Sequence, residues 1–225
     1  MNKILKHPAF RRWIQNREFR AKVSLHIGMA VNLFFAVMKF IEGLYYRSVW
    51  FSAVGIYYLF LGLMRFFLLR GEWITEKENN PYIRRRKKIR VYRFSGWMLL
   101  IMSLIMGGMI VQMVVQNKSF DYPGVLIYAS AAYVFYCVVT AVWNYVHFRD
   151  LKSPVLSAAK TIGLATAFMS LFSLQTAMLV KFSGDPGYRR MMNSVVGGLV
   201  VVLTIFLAVR MAVRGKRILQ EERLE

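Results

Sequence analysis

Acidic residues, cysteine and histidine are scarce in this 225-residue sequence. Only 11 Asp and Glu stand against 31 Lys and Arg, and the single cysteine, Cys137, excludes an internal disulfide or a thiolate metal cluster. The three histidines, His7, His26 and His147, are far apart in sequence. No phosphate-binding loop and no pair of catalytic carboxylates is present. We therefore expect neither an enzyme nor a protein with a bound metal or cofactor.

Long apolar runs are abundant, with 57% hydrophobic and 15% aromatic residues. A bilayer core about 30 Å thick needs about 20 mostly apolar residues in a helix, because lipid offers no partners for unpaired backbone groups. Six runs are long enough, at about 23–44, 50–69, 94–115, 124–147, 154–182 and 191–213. The sequence thus predicts an all-α membrane protein, a six-transmembrane-helix bundle, between a basic amphipathic segment (1–22) and a short tail (214–225). The glycine pairs 107–108 and 197–198 are expected to allow close helix packing.

Lys and Arg are distributed unevenly between the two sides of the predicted bundle. The N-terminal segment, the second and fourth connections and the tail hold 21 of them, whereas the other connections hold four. Basic connections stay in the cytoplasm, so we expect a multi-pass protein of the cell membrane with both termini cytoplasmic. We expect no cleaved signal peptide, because no apolar core precedes a small-residue cleavage site near the start.

The longest predicted connection, residues 71–93, contains five consecutive basic residues: Arg84, Arg85, Arg86, Lys87 and Lys88. Because this charge lies between apolar segments, it fits anionic lipid headgroups better than nucleic acid. We interpret the run as a membrane-surface segment, and a specific phosphoinositide-like or nucleic-acid patch is the alternative. The expected partners are therefore the lipid bilayer and its anionic headgroups, with no nucleic acid.

Charged residues within the predicted spans are costly unless they are paired or hydrated. Lys39 and Glu42, three residues apart on the first helix, can pair on one face or extend to the interface. Arg65 lies about one turn from the end of the second helix and is expected to extend to the membrane surface. Lys160 of the fifth helix has no acidic neighbour in sequence, so its partner must be another helix, a backbone carbonyl, water or an anion. The many Ser and Thr residues of the fifth helix predict that it lies inside the bundle beside the second helix.

Two predicted helix starts have weakly similar sequences. The second helix opens with Arg47-Ser-Val-Trp-Phe-Ser-Ala53, and the fifth opens with Lys152-Ser-Pro-Val-Leu-Ser-Ala158. Together with Asn32 and Lys39 in the first helix, these segments resemble the transmembrane domain of the cation diffusion facilitator family of zinc and manganese exporters. The resemblance covers about residues 20–215 and implies a bundle of six helices with both ends inside.

The resemblance assigns four residues to the positions where those exporters bind metal. Family members carry an Asp-x-x-x-Asp pair on the second helix and a His-x-x-x-Asp pair on the fifth, and this spacing puts each pair on one helix face. The corresponding residues are Val54 and Tyr58 on the second helix and Ile162 and Thr166 on the fifth. No carboxylate or imidazole remains at these positions, and we expect no counterpart of the family's cytoplasmic metal-sensing domain after the sixth helix. The resemblance therefore implies a degenerate member without a metal site.

Three functional hypotheses follow from these residues. The leading one is a non-transporting member that serves as a membrane-embedded binding or regulatory partner, as a homodimer or with another membrane protein. The alternative is a transporter of a different small solute or anion through a Lys160-centred cavity, and divalent cation efflux with ligands elsewhere is the third. A through-going polar cavity lined by Tyr58, Lys160 and Thr166 would favour transport, whereas a tightly filled bundle would favour the partner role.

Overall fold

The computed structural model describes residues 17–116, 124–147 and 153–224, and these residues form six α-helices. In chain order they are α1 (Arg17–Tyr45), α2 (Val49–Glu76), α3 (Pro81–Gln116), α4 (Gly124–His147), α5 (Pro154–Phe182) and α6 (Pro186–Leu224). Each helix is long and apolar enough to cross a bilayer. The chain is therefore a polytopic, all-α membrane protein with a six-helix bundle, as the sequence predicts. The N-terminal segment before residue 17 lies outside the described residues.

Two parts of the chain that the sequence assigns to connections are helical. Over the predicted connection 71–93 both helices extend beyond their predicted spans, and only residues 77–80 separate α2 from α3. Glu, Lys and Arg favour helices, so both helices continue beyond their apolar stretches. Asn80 caps the start of α3, since its side-chain oxygen accepts a hydrogen bond from the Tyr82 N–H at 3.0 Å. Likewise, α6 continues through the predicted tail to Leu224.

Proline and short polar turns set other helix boundaries. α5 begins at Pro154, as predicted, and α6 begins at Pro186. The first turn of a helix accepts proline because its missing N–H has no partner there in any case. Between α1 and α2, the Ser48 hydroxyl accepts a hydrogen bond from the Phe51 N–H at 3.5 Å. The preceding residue, Arg47, has a φ of 48°, which is unfavourable for an L-residue with a side chain.

Glycines bring α1 against α2 and α3 against α6. A Cβ atom at Gly55 of α2 would lie 2.9 Å from the backbone nitrogen of Phe40 in α1. One at Gly96 of α3 would lie equally close, at 2.9 Å, to the backbone nitrogen of Ala212 in α6. Helix backbones approach this closely only where the side chain is small. The bundle therefore contains two closely packed helix pairs, α1–α2 and α3–α6.

In each of the two glycine pairs, the first glycine lies in the α3–α6 contact and the second lies on the outer surface. A Cβ atom at Gly107 would lie 3.3 Å from Val201 Cγ1 across the α3–α6 contact. One at Gly197 would lie 2.6 Å from Ile110 Cγ2. The prediction of close packing is therefore confirmed for these two residues. Their neighbours Gly108 and Gly198 are exposed, and an added Cβ would meet no atom within 4 Å.

The central helix of the bundle is α5, which contacts each of the other five. In the most apolar stretches of α2 and α5, 56% of the residues are buried, against 28–33% in the other four helices. The hydroxyls of Thr166 and Ser170 are buried and donate hydrogen bonds to carbonyl oxygens of their own helix. The prediction that the polar fifth helix lies inside the bundle beside the second is confirmed.

Candidate functional site

The four residues at the metal positions of the family resemblance are packed into the core. Val54 and Ile162 are 0% exposed, and Tyr58 and Thr166 are 1% exposed. Val54, Tyr58 and Ile162 belong to one cluster of buried hydrophobic side chains. The Thr166 hydroxyl donates to the carbonyl oxygen of Ile162 at 2.8 Å, so it serves its own helix. This part of the α2–α5 contact is therefore apolar and filled.

Aromatic rings fill the space beside Tyr58. Its ring is perpendicular to that of Tyr133 in α4, with the two centroids 5.4 Å apart. Tyr133 stacks on Phe35 of α1 at a centroid distance of 3.6 Å and donates its hydroxyl proton to Asn32 Oδ1 at 3.2 Å. Stacked and edge-to-face rings stabilise a core beyond the area they bury. These contacts place Tyr58 in a packed layer that joins α1, α2 and α4.

Lys39 and Glu42 form an ion pair inside the bundle. The two residues are 4% and 7% exposed, and Lys39 Nζ lies 2.8 Å from Glu42 Oε2. Lys39 also donates to Ser130 Oγ of α4 at 3.3 Å, and its Nζ lies 5.5 Å from the ring centroid of Phe51 in α2. Of the two arrangements open from the sequence, pairing is the one observed. The pair links α1 to α4 and α2 near the α1–α2 turn.

Arg65 is buried, so the prediction that it extends to the membrane surface is wrong. Only 8% of the residue is exposed. Its guanidinium lies where Gly28 of α1 leaves space, because a Cβ atom there would overlap Arg65 Nη1. A Cβ atom at Gly163 of α5 would be in ordinary contact with Nη2, at 3.8 Å. The sequence shows the glycine in the first helix, but it does not show which helices pack against α2. The burial of Arg65 was therefore not predictable from the sequence.

Lys160 lines a small cavity that it shares with Arg65. The cavity has a volume of about 20 Å³, and its polar lining also includes Ser24 of α1 and Asn144 of α4. Neither Tyr58 nor the Thr166 hydroxyl belongs to this lining. The structure therefore brings together two cations from α2 and α5, and it separates Lys160 from the four core residues with which the sequence grouped it.

The basic run of α3 divides between two clefts. In the first, Arg84, Arg85 and Lys88 face the α2 carboxylates of Glu72 and Glu76 across a space of about 360 Å³. Lys88 Nζ lies 2.6 Å from Glu72 Oε1. The acidic end of α2 therefore offsets part of the basic charge on this side of α3.

The second cleft lies between α3 and α6 and has a volume of about 510 Å³. Its lining residues are Arg86, Arg90, Arg93, Phe94, Trp97, Lys216, Leu219 and Gln220, with no acidic side chain among them. Lys87, the remaining member of the basic run, lies 2.5 Å from a carboxylate oxygen of Glu78. Arginines beside an exposed tryptophan are typical of the level where helices leave the bilayer. This cleft fits the predicted membrane-surface role better than the first.

No protein-family model matches this chain, and no curated protein matches it in sequence. Within residues 17–116, 124–147 and 153–224, no group of three or more His, Cys, Asp and Glu side chains could hold a metal ion. The function must therefore be inferred from the filled core and from the buried charges of the bundle.

Proposed function

We propose that this protein is a degenerate relative of the cation diffusion facilitators that does not transport divalent metal and acts as a binding or regulatory partner in the cell membrane. The observation that carries the proposal is the filled core at Val54, Tyr58, Ile162 and Thr166. A zinc site needs four nitrogen, oxygen or sulfur ligands around a tetrahedral ion. Two of these side chains have no such atom, and the Thr166 hydroxyl already bonds a backbone carbonyl.

The outer surface of α3 and α6 offers a place where a partner helix can approach. Gly108 and Gly198 are exposed, with open space around the position of a Cβ atom. Small residues on a lipid-facing surface allow another transmembrane helix to pack closely. We place the partner contact, with a second copy of the chain or with another membrane protein, on this surface.

Metal transport is tested with the purified chain in proteoliposomes that carry a proton gradient and an internal indicator for zinc or manganese. We expect no metal flux above that of protein-free vesicles. Proton-dependent zinc uptake would contradict the proposal and would support divalent cation efflux with ligands elsewhere in the chain.

The partner contact is tested by placing a photo-crosslinking residue at position 198 in cells. We expect one discrete protein adduct, and an adduct of twice the chain mass identifies a homodimer. The matched control is position 139 in α4, because Val139 is a lipid-facing residue that is 60% exposed. If position 198 gives no adduct that position 139 lacks, the partner contact does not lie on this surface.

The second candidate is transport of a small anion or other small solute through the Lys160-centred cavity. The observation that favours it is that Arg65 and Lys160 line the same cavity. Its test is chloride flux in proteoliposomes with wild type and Lys160→Leu. Transport predicts that the variant loses flux but keeps its thermal stability. Unchanged anion flux in the variant would contradict a role of Lys160 in transport.

We further propose that both termini are cytoplasmic. In support, the beginning of α1 and the beginning of α3 meet the end of α2, since Lys22 pairs with Glu76 and Lys88 pairs with Glu72. The start of α1 and the α2–α3 connection thus lie at the same end of the bundle. Reporter fusions after the C-terminus and at Gly184 in the α5–α6 turn should show opposite locations, with the C-terminal reporter inside. The reverse result would invert the proposed orientation.

A further inference from the structure

A buried arginine without a carboxylate partner lies inside the bundle. Arg65 is 8% exposed, and its Nε atom is buried without a hydrogen-bond partner. None of the ion pairs among the described residues involves this side chain. A buried charge without a partner is costly in a protein core and within a membrane. Another group must therefore lower the free energy of this cation.

The helix packed against Arg65 leaves room for its guanidinium. Gly28 of α1 leaves room for Nη1, because a Cβ atom at that position would overlap it. Gly163 of α5 lies near Nη2, with 3.8 Å between that atom and the position of a Cβ. A larger side chain at residue 28 would displace the guanidinium from the wall of the cavity that it lines. Gly28 thus allows the guanidinium to reach the cavity wall.

The other polar groups of the cavity are also suited to an anion. Lys160 lines it with a second cation, and among the described residues no acidic side chain belongs to the lining. The Ser24 hydroxyl donates to Asn144 Oδ1 at 3.1 Å. With that oxygen engaged, the remaining hydrogen-bonding group of the Asn144 side chain is an N–H donor. Two cations and an amide donor therefore surround one space.

We propose that Arg65, Lys160 and Asn144 bind a small inorganic anion, of the size of chloride, in this cavity. The volume of about 20 Å³ exceeds the roughly 10–15 Å³ that one water-sized particle requires, but it is too small for a phosphate group with four oxygens. A bound anion offsets the cost of burying the Arg65 charge. This anion site is separate from the proposed partner role, and anion binding at it does not require transport.

The test is equilibrium binding of radiolabelled chloride to the purified full chain in nanodiscs of zwitterionic lipid, with gluconate holding the ionic strength constant. We expect saturable binding of one chloride per chain. Arg65→Gln should weaken binding by about tenfold or more, because it removes a charge-assisted hydrogen bond. Lys160→Gln should weaken it as well. The matched control is Arg70→Gln, which removes the same charge from an exposed position of the same helix and should leave the affinity unchanged.

Thermal unfolding provides a second readout, since chloride should raise the midpoint of wild type and Arg70→Gln but not that of Arg65→Gln. Absence of saturable binding in the folded wild type would overturn the proposal, and so would equal losses in Arg65→Gln and Arg70→Gln. If Arg65→Gln does not fold, the wild-type isotherm and Lys160→Gln decide the outcome. Chloride binding without chloride flux separates this site from anion transport. Zinc flux together with intact chloride binding would contradict the proposed partner function but not the anion site.

Discussion

Removing one charge of the buried Lys39–Glu42 pair should destabilise the protein strongly. Lys39→Met leaves Glu42, which is 7% exposed, without its cation. Loss of one partner of a buried pair costs about 3–5 kcal/mol. Glu42→Leu should cost less, about 1–3 kcal/mol, because Lys39 keeps its contacts with Ser130 Oγ and the Phe51 ring. The two single variants should therefore differ in the free energy of unfolding.

The double variant measures the interaction energy between Lys39 and Glu42. Replacing both charges with apolar side chains of similar length removes the unpaired charge that each single variant leaves behind. We therefore expect the double variant to be more stable than Lys39→Met alone, with a coupling energy of about 2–3 kcal/mol in a double-mutant cycle. The assay is reversible unfolding in mixed micelles or bicelles, followed by circular dichroism.

The chain offers a matched exposed pair as the control. Lys22 and Glu76 form an ion pair with side chains that are 32% and 47% exposed. The same substitutions in this pair should give a coupling energy of about 0.2–1 kcal/mol, because water screens both charges. A coupling energy for Lys39–Glu42 no larger than this would refute the argument that burial sets the strength of the inner pair.

Three further predictions concern packing and the backbone. Gly197→Ala should destabilise by about 1–3 kcal/mol, because the added methyl group would lie 2.6 Å from Ile110 Cγ2. Gly198→Ala, with open space around it, should be stabilising by up to about 1 kcal/mol, and equal thermal midpoints for the two variants would contradict the α3–α6 contact. Arg47→Gly should raise the midpoint, with a net gain of about 0.5–1 kcal/mol from relieving the φ of 48°, and a lower midpoint would show that this residue makes a compensating contact. Thr166→Val should change stability by less than about 0.5 kcal/mol, because the hydroxyl bonds only its own helix, and a larger loss would reveal another partner.

The membrane spans were predictable because apolar length is a property of consecutive residues. Pro154 also marked a helix start correctly, because proline restricts its own backbone. How far α2 and α3 extend into the stretch 71–93 was not predictable, for a physical reason. Its charged residues mark the point where the chain leaves lipid, but the same residue types favour continuation of the helix in water.

The candidate site was only partly predictable. The spacing of Lys39 and Glu42 on one helix pointed to a pair, since residues three apart share a helix face. Lys160 stood out as a charge within an apolar run, but nothing nearby in sequence indicated Arg65 as its neighbour. These two residues come from different helices and line the same space only because α1, α2, α4 and α5 pack around one cavity.

The sequence by itself determined the class of this protein. Apolar runs separated by basic connections predict helices that cross a membrane, since backbone groups in lipid must bond within each helix. Tertiary structure alone decided which charges are paired and which face a cavity. Glycines set the distances between helices, and those distances bury Arg65 beside Lys160 while they pack Val54 and Tyr58 into a filled core. The reason is that burial and charge pairing depend on contacts between residues far apart in sequence.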